Sequence, residues 1–205
     1  MLRRTRRAAV SLWVGGFSAL LFTSLRFTAV YEPDDSVFGF TAEEYDPWLI
    51  LPIGLILYGL AALHRHQAPD YGRLGCIGFL TTVTGYSLIL VGDAWSVVLF
   101  PPTHLFWFVG GTLSSLGLLV VIAGWALWGI ASFRAKSLPT WAIPAPLVIA
   151  LVWVTARFVL TDFLFDVFWM GDPGLIQAVN AIGLGVLGLA LWRSENGLSK
   201  HAPRG

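Results

Sequence analysis

The sequence predicts an all-α integral membrane protein, a bundle of about six transmembrane helices with both termini in the cytoplasm. The 205-residue chain is 56% hydrophobic and only 12% charged, whereas soluble domains are about 25% charged. Its apolar runs reach the roughly 20 residues that a helix needs to cross a bilayer. Each run is apolar without interruption, whereas the strands of a membrane β-barrel alternate apolar and polar residues. Length and polarity together therefore predict the helical membrane class.

Six apolar segments are predicted to cross the membrane, and they form one transmembrane domain over residues 1–205. Proline marks two of the boundaries. Pro101 and Pro102 interrupt the helix between the third and fourth spans, and Pro144 and Pro146 fall in the first turns of the fifth, where a missing N–H is tolerated. The predicted spans are approximately 8–30, 48–64, 75–100, 104–133, 141–161 and 175–192.

The orientation follows from the charges between the spans. Eleven of the thirteen basic residues flank the spans on one side, and ten of the twelve acidic residues lie on or near the other side. Lys and Arg near span ends are retained in the cytoplasm, so the basic side is predicted to be cytoplasmic. Arginine outnumbers lysine eleven to two, a usage typical of GC-rich prokaryotic genomes. The predicted location is therefore the cell (plasma or inner) membrane of a prokaryotic-type cell.

The segment 31–47 is predicted to be an acidic external loop, because it carries six carboxylates between the first two spans. One interpretation is a solvated loop without a ligand. The other is a cation-attracting vestibule in which Glu43, Glu44 and Asp46 offer the oxygen ligands that Ca²⁺ takes. The spacing of an EF-hand loop is absent, so no metal site is predicted and these three residues are only its nearest candidates.

Several polar residues are predicted to lie at a similar height near the outer boundary. The stretch ARFVLTDFLFDVFWMGDP, residues 156–173, places charges among aromatic residues. Charged side chains inside a bilayer cost several kcal/mol and are usually paired or face a cavity. Because the spans alternate in direction, residues from five of them and from the stretch after the fifth meet at this height. The candidate pocket or ion-pair residues are Arg26, Asp93, His104, Arg157, Asp162, Asp166 and Asn180.

Two interpretations of this set remain open. In the first, the arginines extend to lipid phosphates, the aspartates lie in interfacial water, and residual pairs hold the bundle together. In the second, the side chains line an outward-open pocket for a small solute or an ion. Asp93 or Asp162 would then carry a proton or cation, and Arg157 would act as an electrostatic gate or anion contact.

Weaker patterns are assigned to structure. Gly110, Gly111, Ser114 and Ser115 fit the small-xxx-small pattern of close helix packing. The motif HRH, residues 64–66, is interpreted as a cytoplasmic flank, because histidines two apart lie on different helix faces. Tryptophans near both boundaries are predicted to form interfacial aromatic belts; those near the inner boundary are Trp128, Trp141 and Trp192.

Function is predicted only broadly, because the chain contains no GxSxG, HExxH or Walker A motif. No catalytic residue and no cofactor are predicted. The preferred function is binding or passage of a small solute or cation through the polar outer pocket. One alternative is a non-catalytic accessory or scaffold subunit of a larger membrane complex. Another is an intramembrane enzyme acting on a lipid or isoprenoid, with Asp93, Asp162 or His104 as acid or base.

The expected partners follow from the same features. They are membrane lipids, a small solute or cation, and other membrane subunits. Nucleic acid is not expected, because the basic residues form short flanks beside the spans rather than an extended basic surface.

Overall fold

The computed structural model describes residues 2–31, 36–41, 48, 50–98, 104–136, 138–155 and 173–200. Within these ranges the chain forms five α-helices and one two-stranded hairpin, which confirms the all-α class. The elements are α1 (Leu2–Tyr31), β1 (Ser36–Val37), β2 (Phe40–Thr41), α2 (Ile50–Val98), α3 (His104–Ala135), α4 (Ala145–Val154) and α5 (Pro173–Lys200).

Among the described residues, three helical stretches are long and apolar enough to cross a membrane: Thr5–Leu25, Ile50–Trp95 and Val109–Ala135. Their composition agrees with the outer surface of the bundle, where large apolar side chains such as Phe17, Leu51 and Leu151 are more than half exposed. Apolar surface of this extent is unusual on soluble proteins and is what lipid-facing helices present. The observations together indicate a membrane protein.

Helix α2 consists of two arms that meet at Gly72. This glycine has φ 63° and ψ −156°. Glycine adopts this conformation at little energetic cost, because it has no Cβ. His64 stacks on Phe79 with ring centroids 4.0 Å apart, although fifteen residues of straight helix would separate them by about 22 Å. The first arm (residues 50–71) and the second arm (residues 73–98) therefore fold back on each other. The predicted spans 48–64 and 75–100 fall in different arms.

The second arm of α2 packs against α3 along glycines spaced seven residues apart. A Cβ on Gly85 would lie 2.5 Å from the backbone N of Val121 and 2.7 Å from the backbone O of Gly117, and one on Gly92 would lie 2.7 Å from the O of Gly110. The missing side chains let the two backbones touch, as in small-residue membrane interfaces. The pairing of 85 with 117 and 92 with 110 makes the helices antiparallel. This glycine seam consists of Gly78, Gly85 and Gly92 on α2 and Gly110, Gly117 and Gly124 on α3.

The other helices close a ring around the core. Gly59 packs on Leu12, and Gly15 packs on Ile56. Because the later residue of one helix meets the earlier residue of the other, the first arm of α2 runs antiparallel to α1. Gly188 packs on Trp13, whose Nε1 donates a 2.7 Å hydrogen bond to the carbonyl of Gly185. Helix α5 therefore packs against α1, and α4 completes the ring between α3 and α5. The largest side chains of the core are Leu12, Ile56, Leu60, Trp125, Trp128, Ile149, Leu184, Leu187 and Leu191.

Two local features differ in detail from the predicted elements. Helix α4 begins later than its predicted span 141–161, because Pro144 occupies its N-cap and residues 141–144 form turns; residues 156–161 lie outside the described part. Within the predicted loop 31–47, residues 36–41 form a hairpin that packs against α1. Its central residues Phe38 and Gly39 have φ 53° and 80°, the left-handed pair that a tight type I′ turn requires.

Candidate functional site

Asp93 lies near the end of the second arm of α2, half-buried against α3. Ser114 Oγ donates a 2.8 Å hydrogen bond to Asp93 Oδ1. The glycine seam produces this contact, because the neighbouring Gly92 has no side chain and lets the Ser114 hydroxyl approach α2. A carboxylate placed between apolar helices needs such a donor. The sequence predicted both residues, Asp93 as a polar site and Ser114 as a packing residue, and the structure joins them in one site.

Asn180 lies deeper in the bundle, on α5, with only 4% of its surface exposed. It contacts the buried hydroxyl of Tyr86 on α2, which also contacts the indole of Trp125 on α3. These contacts fall outside regular hydrogen-bond geometry, since neither Tyr86 Oη nor Trp125 Nε1 has a regular hydrogen bond within the described residues. Three helices thus place polar groups together at the centre of the bundle.

The two polar groups occupy different depths. Tyr86 precedes Asp93 by seven residues, two helical turns or about 10 Å along the same arm. The second arm therefore carries one polar residue near its end and one in its interior, both directed toward α3.

A third polar group lies where the two arms of α2 meet and α3 ends. Trp128 Nε1 donates a 2.8 Å hydrogen bond to Gln67 Oε1, and Gln67 Nε2 donates to Ser132 Oγ at 3.4 Å. All three side chains are fully buried. Next to them, His64 Nδ1 pairs with the hydroxyl of Tyr71 on the same first arm, and the His64 ring stacks on Phe79 of the second arm. This group links the two arms to α3.

This third group was not predicted from the sequence, and the roles predicted for Trp128, one of its members, and for the adjacent His64 were wrong. His64 is half-buried between Tyr71 and Phe79 and is not a solvated flank residue. Trp128 is fully buried and does not belong to the interfacial belt, because Gln67 satisfies its indole N–H inside the bundle. One signal was available, since His64, Gln67 and Tyr71 are spaced three and four residues apart and share a helix face.

The remaining predicted site residues are not described at the side-chain level. Arg26 belongs to α1 and His104 begins α3, but their side chains lie outside the described part of the chain. The same holds for the whole of Arg157, Asp162 and Asp166. The nearest metal candidates also fall outside it; these are Glu43, Glu44 and Asp46. Among the residues that are described, no group of three or more His, Cys, Asp or Glu side chains is arranged to hold a metal ion.

No family model, curated protein or solved structure matches this chain. Fold and site together define its class: a helical protein whose described part has three helices long and apolar enough to span a membrane and has polar side chains enclosed between its helices.

Proposed function

We propose that the chain is a multi-pass protein of a prokaryotic-type cell membrane, with six crossings and both termini in the cytoplasm. The antiparallel contacts of α1 with the first arm, of the second arm with α3 and of α1 with α5 support this topology. They gather the start of α1, the turn of α2 and the ends of α3 and α5 at one end of the bundle, here called the basic end. Seven exposed basic side chains support its cytoplasmic position: Arg6, Arg7, Arg65, Arg73, Arg134, Lys136 and Arg193.

We further propose that the protein binds and passes a small cation or small polar solute, with Asp93 as its contact residue at the opposite, outer end. The pair formed by Asp93 and Ser114 carries this proposal. Their two oxygens lie 2.8 Å apart between two packed helices, and carboxylate and hydroxyl oxygens are the ligands that hard cations take. A carboxylate inside a membrane span most often marks an ion or substrate pathway.

The central group supports passage in addition to binding. Tyr86 and Trp125 of the same helix pair, with Asn180 of α5, place donors and acceptors about 10 Å deeper than Asp93. A solute that leaves Asp93 inward would meet these groups next. Hydrogen-bonding groups at successive depths lower the cost of moving a polar solute through an apolar interior.

Flux measurements on purified protein in liposomes test the proposal. Vesicles containing the protein should pass Na⁺, K⁺ or protons faster than empty vesicles, as read by ion-sensitive dyes. A contact to a charged group contributes about 1.5–3 kcal/mol, so Asp93→Asn should lower the flux about tenfold or more. Asp70→Asn is the matched control, because it removes the same charge from an exposed position at the turn of α2.

Three results would contradict solute passage. One is a flux no greater than that of empty vesicles, with uncharged polar solutes also excluded. Another is an Asp93→Asn protein that conducts like the parent protein. The third is an equal loss in the Asp70→Asn control. An accessory subunit would then be the better description, and it should co-purify with another membrane subunit.

A further inference from the structure

Two arginines lie on tryptophan rings at the basic end of the bundle. The guanidinium carbon of Arg6, on α1, is 5.2 Å from the ring centroid of Trp192 on α5. That of Arg193, also on α5, is 5.5 Å from the ring centroid of Trp141, which precedes α4. Because Trp192 and Arg193 are consecutive, both contacts occur at the same end of α5. Helix α1 and the segment before α4 therefore each take part in one arginine–tryptophan contact at this end of α5.

The aromatic rings determine which part of each guanidinium group can contact a ligand. A guanidinium carries five N–H donors in one plane, and a ring that lies on one face of that plane does not cover the N–H groups at its edge. Both arginines are exposed, and 43% of the Trp141 surface is exposed. Edge-on donors of a planar guanidinium match two oxygens of one phosphate. The arrangement is therefore suited to an anion that approaches from outside the bundle.

The position of the site indicates where that anion comes from. Exposed tryptophan is characteristic of the boundary between headgroups and hydrocarbon, which places Trp141 at headgroup height. The described part of the basic end exposes seven basic side chains and one carboxylate, Asp70. Basic pockets between transmembrane helices on the cytoplasmic side bind anionic headgroups. A phosphate attached to a lipid would be held at the height of these two arginines.

We propose that this cluster, formed by Arg6, Trp141, Trp192 and Arg193, is a binding site for the phosphate headgroup of an anionic phospholipid. The lipid lies at the junction of α1, α4 and α5 and bridges segments far apart in sequence. This proposal rests on the proposed cytoplasmic position of the basic end, and it does not depend on solute passage through the Asp93 site.

Native mass spectrometry of the full chain in detergent tests the site, with phosphatidylglycerol as the probe and phosphatidylcholine, a zwitterion without net charge, as the comparison. Phosphatidylglycerol should bind in preference to phosphatidylcholine. Arg6→Gln and Arg193→Gln should each weaken its binding about fivefold, the effect of one basic residue near an anionic headgroup. Arg73→Gln, the same change at an exposed site on α2, should change binding by less than about twofold.

A further variant separates the site from general charge attraction and from loss of folding. Trp141→Leu keeps every charge but removes the ring beneath Arg193, and it should also weaken binding of phosphatidylglycerol. Four results would overturn the proposal: equal weakening in Arg73→Gln, equal binding of phosphatidylcholine, unchanged binding in Trp141→Leu, or inorganic phosphate that competes as strongly as the lipid. The last result would indicate a site for free phosphate.

Discussion

At the scale of single residues, buried polar side chains determine which helix faces meet. Gln67 is fully buried, and both ends of its amide are used: Oε1 accepts from Trp128 and Nε2 donates to Ser132. Hydrogen bonds between membrane helices contribute about 0.6 kcal/mol on average and up to about 1.7 kcal/mol. The 2.8 Å bond to Trp128 is short and enclosed, so we place it in the upper part of that range. Gln67 thereby ties the first arm of α2 to α3.

A double-mutant cycle measures this contact. Gln67→Met and Trp128→Phe should each destabilise the protein by about 1–2 kcal/mol, because each leaves a buried partner without its hydrogen bond. The double variant should lose less than the sum of the two single losses. The measurement is the free energy of unfolding in mixed micelles. Strictly additive losses would show that Gln67 and Trp128 do not interact.

Single residues were predictable from the sequence only where their chemistry contrasts with their surroundings. Asp93 and Asn180 were identified because each is polar within an apolar run. Ser114 was identified for its size, and its hydrogen bond to Asp93 was not. Tyr86 and Gln67 gave no comparable signal, because a tyrosine within an apolar run and a glutamine just beyond a span end are both ordinary. Their roles depend on partners more than thirty residues away in the chain.

At the scale of helices and their pairs, the glycine seam sets how closely the second arm of α2 approaches α3. Its members recur every seven residues on both helices, close to two helical turns, so they stay on the facing sides. Of the four packing residues predicted from the sequence, only two belong to this contact between α2 and α3. Gly110 and Ser114 do contact α2. A Cβ added to Gly111 would have no neighbouring atom within 4 Å, and Ser115 is exposed.

Gly85→Ala tests the seam. The added Cβ would lie 2.5 Å from the backbone N of Val121, and because backbone atoms cannot turn aside, the helices must separate. Overpacking of this kind costs about 1–3 kcal/mol. Gly54→Ala is the control, since nothing lies within 4 Å of that Cβ and alanine favours the helix by up to about 1 kcal/mol. Thermal unfolding should separate the two variants, and equal midpoints would contradict close packing at Gly85.

At the scale of the whole molecule, the ring of helices collects basic side chains at one end. Arg65 and Arg73 flank the turn of α2, Arg134 ends α3 and Arg193 lies near the end of α5. These positions are distant in sequence, and antiparallel packing brings them together. The resulting positive surface would favour the cytoplasmic leaflet, whose anionic lipids attract it by about 1 kcal/mol for each basic residue near the surface.

Thiol labelling tests the proposed orientation. In a chain whose single cysteine is removed by Cys76→Ala, Ser36→Cys in the hairpin should react with a membrane-impermeant reagent in intact cells. Ala68→Cys, exposed at the turn of α2, should react only after the cells are permeabilised. Labelling of both positions under the same condition would contradict the topology.

The sequence by itself determined the helical membrane class and the approximate positions of the helices. These properties are local, because the length of an apolar run and the prolines that bound it act on neighbouring residues. Only the tertiary structure decided that Asp93 meets Ser114, that Asn180 meets Tyr86 and that Arg193 lies on Trp141. Such pairings depend on how each helix is rotated and how far it slides along its neighbour. Close backbone contact at glycines sets both the rotation and the sliding of each helix. Neither can be predicted from the sequence, because the partners are far apart along the chain.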